Sequence, residues 1–137
     1  MSGTVTGKVR IVLRLEGLCI LLISLLAYAK FGAGWGVWAI FFLTPDLSLL
    51  GYVAGPRAGS ALYNSAHSYV GAALLLASGL CWPSQLATTA GIIWIAHIGF
   101  DRALGYGLKY ASGFGVTHLG LIGRAHPRRR AGHPPRS

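Results

Sequence analysis

The sequence predicts an all-α membrane protein: an antiparallel bundle of four transmembrane helices followed by an interfacial C-terminal segment. Three observations predict it. Of the 137 residues, 53% are apolar and only 11% are charged, against roughly 25% charged in an average soluble domain. Four apolar stretches each approach the ~20 residues that carry a helix across the hydrocarbon layer. All but one of the twelve Lys and Arg residues fall on what alternating loops make a single side. The composition excludes an ordinary soluble globular domain, which needs more polar surface, and intrinsic disorder, which needs low hydrophobicity.

The first stretch covers residues 11–29, with Arg14 and Glu16 at its entrance. No small-residue cleavage pattern follows it before Lys30, so it reads as a retained helix and not a cleaved leader. Gly32-Ala33-Gly34 leads to the second stretch, 35–54, which Thr44-Pro45-Asp46 interrupts. Gly55-Pro56-Arg57-Ala58-Gly59 leads to the third, 60–82, and Trp82-Pro83-Ser84 to the fourth, 85–104. Links this short make sequential helices antiparallel neighbours. Helix is the form expected in lipid, where the backbone must satisfy its own hydrogen bonds and this chain is too short to close a barrel. With the N-terminal residues 1–10 in the cytoplasm, only Lys30 faces outward. The expected topology is therefore a multi-pass cell-membrane protein with both termini cytoplasmic. Trp35 and Trp82 fall near the outer interface, where aromatic belts sit.

Residues 105–123 are glycine-rich, aromatic and weakly polar, and are expected to form the interfacial segment. Residues 124–137 are basic and proline-rich and are expected to be a disordered tail. Its Arg128-Arg129-Arg130 run should attract anionic lipid at about 1 kcal/mol per charge. Nucleic acid is not an expected partner, because the tail carries no folded soluble module. Cys19 and Cys81 sit in separate apolar stretches and make no disulfide framework; they read as small buried residues.

The chemistry is concentrated. All three acidic residues, Glu16, Asp46 and Asp101, lie in or at the edge of apolar segments, and the tails contain none. An Asp at mid-helix costs roughly 2.5–3.5 kcal/mol on insertion, so such groups mark a site when partners can be named. At ~1.5 Å of rise per residue, Asp46 lies about 12 Å from the cytoplasmic end of its span, and His67 and His97 each about 10 Å from theirs. Asn64, Asp101 and Glu16 lie closer to the cytoplasmic face. His97 and Asp101, four apart, share a helix face with Trp94. Ser60, Asn64, His67 and Gly71 make a small, polar stripe suited to helix contact.

His67, His97, Asp46 and Asp101 are a candidate shell for a divalent Zn, Mn or Fe ion, which would neutralise the carboxylates and favour neutral imidazoles. His118, in the Thr117-His118 pair, could close the site from below. Tyr63, Asn64 and Glu16 are candidate outer partners. An open metal position would suit hydrolysis, with Asp46 or Asp101 as general base. Arg102 and Lys109, flanking the glycines of GYGLKY, could orient an anionic headgroup. Each residue also has a structural reading. The histidines could merely join helices, Asp46 could stabilise the first turn of a half-helix that Thr44 caps and Pro45 opens, and Glu16 could pair with Arg14 or Arg102. Broken helices, however, also occur at membrane binding sites. A non-enzymatic protein, either a proton or ion pathway or a partner subunit whose polar groups specify packing, is the alternative to a hydrolase.

The strings LTPDLSLLGY, YNSAHSY and WIAHIGFDRALGYGLKY, followed by GFGVTHLG, resemble the domain-of-unknown-function 4260 family of small bacterial membrane proteins. The likeness covers residues 14–123. It implies that Pro45, Asp46, Tyr63, Asn64, His67, His97, Asp101, Arg102, Lys109 and His118 are family motif positions, and it implies no activity. Where the family pattern carries a proline after the third-helix histidine, this chain has Gly71, which bears on helix bending and not on the ligands. A looser likeness, by analogy only, is to membrane-bound metal-dependent hydrolases that combine intramembrane Asp and His with a Thr-His pair.

Overall fold

The computed structural model describes residues 5, 7–112 and 114–122. The chain is mostly helical: α1 (Gly7–Phe31), α2 (Trp35–Leu43), a 3-10 helix (Thr44–Ala54), α3 (Pro56–Ala66), α4 (Tyr69–Cys81) and α5 (Gln85–Leu104). A two-stranded hairpin follows, β1 (Val116–Thr117) antiparallel to β2 (Gly120–Leu121). The expected tail, 124–137, lies outside the described residues, as do residues 1–4 of the N-terminal segment. Among the described residues, two segments are long and apolar enough to cross a membrane: Gly7–Phe31, with mean hydropathy 2.1 over its most apolar stretch, and Trp35–Ala54, with 1.6.

The predicted breakers end the helices. Gly34 (φ 107°) and Gly55 (φ 113°) occupy backbone conformations that a side chain rarely adopts, and each precedes a new helix. Gly105 closes α5 in the left-handed region (φ 93°, ψ 11°). Its N–H reaches the Arg102 carbonyl at 3.0 Å, and the Tyr106 N–H reaches that of Asp101 at 2.8 Å.

Spans two and three are not the continuous helices that hydropathy suggests. Pro45 supplies no N–H to continue the α-helical ladder, and the chain tightens into 3-10 form from Thr44 to Ala54. Thr44 is not the N-cap of this helix, a place Leu43 takes; it closes α2 instead, and its hydroxyl donates back to the Ile40 carbonyl at 3.0 Å. Span three begins at Pro56, not at residue 60, and breaks at His67-Ser68, where Ser68 turns extended (φ −92°, ψ 140°) and caps α4 by accepting from the Val70 N–H. The stripe from Ser60 to Gly71 is thereby divided, and Gly71 packs against the Trp94 ring. Both changes deepen the polar groups together. A 3-10 rise of ~2.0 Å per residue puts Asp46 about 16 Å from Ala54, and His67 lies about 16 Å from Pro56.

Helix α5 is the hub. It packs against α1, α4 and α2, while α3 packs on the 3-10 helix. Glycines set the closest approaches: a Cβ on Gly17 would lie 2.5 Å from the Arg102 Cβ, and one on Gly99 would lie 2.8 Å from the Gly17 carbonyl. The polarity of the molecule is inverted. His67, His97, Thr89, Asp101 and Arg102 are buried, whereas Leu26, Ile40, Val53 and Leu80 are exposed. Cys19 and Cys81 are exposed as well, contrary to expectation, because the apolar faces of these helices point outward.

Candidate metal centre

Four side chains from three parts of the chain meet at one point. Asp46 comes from the first turn of the 3-10 helix, His67 from the break after α3, and His97 and Asp101 from successive turns of α5. His67 Nε2 lies 3.1 Å from His97 Nε2, 3.5 Å from Asp46 Oδ1 and 3.3 Å from Asp101 Oδ2. His97 Nε2 lies 3.4 Å from Asp46 Oδ1 and 3.6 Å from Asp101 Oδ2. All four ligand atoms fall within 4.8 Å of one another. Both readings of Asp46 are met at once: it stands in the first turn of the 3-10 helix that Pro45 opens, and its carboxylate joins the cluster. The His67 and His97 side chains are 0% and 2% exposed and that of Asp101 12%, but that of Asp46 is 46% exposed.

The proton inventory of this cluster is short of donors. His67 Nδ1 lies 2.9 Å from the Tyr63 carbonyl, which can only accept. That nitrogen therefore carries the hydrogen, and in a neutral ring Nε2 is bare and faces the cluster. Asp46 and Asp101, when ionised, only accept. His97 Nε2–H could satisfy one acceptor and no more. If it carries that hydrogen, its buried Nδ1, which has no partner among the described residues, is left as a bare acceptor. Convergent acceptors with too few donors are the arrangement a cation completes.

The surroundings hold the rings still. The Tyr63 ring stacks on His67 with centroids 3.8 Å apart and planes 11° apart, and its hydroxyl donates to Asp101 Oδ2 at 3.5 Å. Phe42 meets His97 edge-on at 5.0 Å. The helix break that frees His67 also frees carbonyls, and both are recovered: Trp94 Nε1 donates to the Ala66 carbonyl at 2.5 Å, and Arg102 Nη2 to that of His67 at 2.8 Å. Trp94 was expected on this face but not as a donor, and nothing in the spacing of an indole reveals which carbonyl it meets.

The remaining predicted residues stand around the centre and not in it. Asn64 clamps the backbone of Lys109, accepting its N–H at 2.6 Å and donating to its carbonyl at 2.7 Å. Arg102 also donates to the Tyr106 carbonyl at 2.9 Å. Lys109 donates to the Phe114 carbonyl at 2.9 Å, with its ammonium 4.7 Å from the Tyr63 ring centroid, and burial lowers its pKa. Both cations thus spend hydrogen bonds on backbone carbonyls. His118 is outside the four-atom group: its Nδ1 accepts from the Leu108 N–H at 2.8 Å. Burial, and then the Arg102 charge, hold its pKa below the ordinary histidine value. Glu16 lines a cavity of about 410 Å³ with Tyr69, Arg102 and His118.

No curated protein and no solved structure matches this chain. The family described as "Domain of unknown function (DUF4260)" matches residues 10–122, nearly the whole of the described chain, and the protein belongs to that family.

Proposed function

We propose that this protein is a multi-pass membrane protein, both termini cytoplasmic, whose Asp46–His67–His97–Asp101 cluster binds one divalent metal ion and hydrolyses a lipid-like substrate there. The observation that carries the reading is the convergence of two imidazole Nε2 atoms and two carboxylate oxygens, 3.1 to 3.6 Å apart across every His–His and His–Asp pair. A tetrahedron around zinc with bonds of ~2.0–2.1 Å has edges of ~3.3–3.4 Å. Two carboxylates and one divalent ion also sum to zero charge, which suits a site shielded from water. The five His–His and His–Asp separations approach these edges, and zinc, manganese and iron all accept such donors.

The inequality of burial suggests a division of labour. His67, His97 and Asp101 are the enclosed ligands, and Asp46, half-exposed, is the one free to leave a metal and take a proton from water. A metal bound to three protein ligands makes water a usable nucleophile near neutral pH. Tyr63 orients Asp101 through its hydroxyl and His67 through its ring and carbonyl.

Elemental analysis of untagged, detergent-purified protein tests this. One equivalent of zinc, manganese or iron, lost in the His67→Ala/His97→Ala pair while the helical content persists, is the expected result. No metal in the purified protein, together with failure of added zinc to raise the melting temperature, overturns it. The 3.1 Å contact between the two imidazoles favours a second reading, a proton pathway. In that case Asp46→Asn abolishes proton flux in liposomes without any metal being present.

A further inference from the structure

We propose that the cavity beside the cluster is a slot for the acyl chain of a bilayer lipid, entered sideways between the 3-10 helix and α4. The inference rests on the reading of the cluster above and names the class of molecule it acts on: an amphiphile with a hydrocarbon chain and a polar end. The cavity holds about 330 Å³, within the range of small-ligand sites. Its walls are Phe41 and Pro45 on one side, Leu75, Ala90 and Trp94 on the other, and Ala66 between. Three of these walls run directly into the cluster. Pro45 precedes Asp46, Ala66 precedes His67, and Trp94 lies three residues before His97 on α5.

Its polar groups are already spent. The Thr44 hydroxyl bonds the Ile40 carbonyl, the Ser48 hydroxyl bonds that of Pro45, and the Trp94 N–H bonds that of Ala66. What remains to an occupant is apolar surface, with ionisable groups at the inner end only. Beside the slot, Leu43, Leu47 and Leu74 are 64%, 64% and 67% exposed, so it is bordered by the surface a bilayer would cover. A chain lying there leads its polar end toward Asp46, the exposed member of the cluster.

The test uses the full chain in nanodiscs containing phosphatidylcholine with a diazirine on its acyl chain, with metal content measured on the same samples. Photolabelling should concentrate several-fold on the peptides bearing Phe41, Leu75 and Ala90 relative to the lipid-facing Val53 and Leu80. Ala90→Phe, which fills the slot, should cut that labelling several-fold while metal content stays at the parent value. If Ala90→Phe does not fold, Ser48→Leu fills the opposite wall and carries the same expectation. Uniform labelling, labelling indifferent to both substitutions, or cross-linking of slot residues to a second copy of this chain overturns the slot. Labelled slot residues in protein that binds no metal support the slot and overturn the metal reading, so the two failures are distinct.

Discussion

At the scale of the residue, the chemistry open to the cluster depends on which atoms carry hydrogens. The Tyr63 carbonyl fixes the His67 hydrogen on Nδ1 and leaves Nε2 bare. His97 has no such partner, so its ring is held by packing against Phe42. The two carboxylates should then differ under the same substitution. Asp101→Asn weakens one enclosed ligand and should empty the site on dialysis. Asp46→Asn should retain metal and lose turnover, by ~10²–10⁴-fold if it serves as general base. Metal titration alongside an esterase assay in micelles separates them, and equal metal loss in both variants refutes the division of labour. Tyr63→Phe keeps the stacked ring and removes the hydroxyl from Asp101. It should weaken metal affinity by ~10-fold or more, as removal of an outer partner does. Most of this cluster was legible in the sequence because ionisable groups are scarce in apolar segments. The outer partners were less so. Asn64 and Tyr63 were picked out by position, but nothing in their spacing told that one would clamp a hairpin and the other stack on a ligand.

At the scale of the element, the His/Asp cluster sits where helices break. Hydropathy reads residues 60–82 as one span because it registers apolar content and not the register of backbone hydrogen bonds. Ser68 and Pro45 change that register while barely changing the average. Each break delivers one member of the cluster, His67 or Asp46, and exposes carbonyls that the fold must then satisfy. Arg102 answers for the His67 carbonyl, so Arg102→Leu should cost ~1–3 kcal/mol, the price of an unpaired buried acceptor. Thermal unfolding in detergent measures this, and a loss below a few tenths of a kcal/mol would show the carbonyl finding another donor. The C-terminal hairpin offers a pH test. His118 accepts a hydrogen bond from Leu108, and burial and the Arg102 charge depress its pKa. The folded chain therefore holds that proton less tightly than the unfolded chain. Docking of the hairpin is fully kept above the ordinary histidine pKa of ~6.5 and is lost as pH falls from there through the folded value. Amide exchange across residues 108–121, corrected for intrinsic rates, should accelerate between about pH 7.5 and pH 5 and stay flat in His118→Leu.

At the scale of the whole molecule, the inverted polarity and the charge asymmetry make a joint statement about orientation. The start of α1 and the end of α5 meet: the Val5 N–H bonds the His118 carbonyl at 2.7 Å, and Arg14 Nε bonds that of Ala103 at 2.9 Å. Arg10 lies within 3.4 Å of where a Cβ on Gly105 or on Gly120 would sit. Arg10, Arg14, Arg102 and Lys109 thus gather at one end of the bundle, and Lys30 ends α1 at the other. Cations in loops stay cytoplasmic during insertion, so this end should face the cytoplasm. Composition told as much about the sidedness as the fold does, since the bias is a property of loops; what it could not tell is that two of these cations are buried on backbone carbonyls. In a Cys19→Ala/Cys81→Ala background, Ser84→Cys should react with a membrane-impermeant maleimide on intact cells, and Arg57→Cys only after permeabilisation. The opposite pattern would turn the molecule over and place the mouth of the cluster outside. Labelling of both positions on intact cells would mean that no barrier separates them, and the multi-pass reading would fall with its topology.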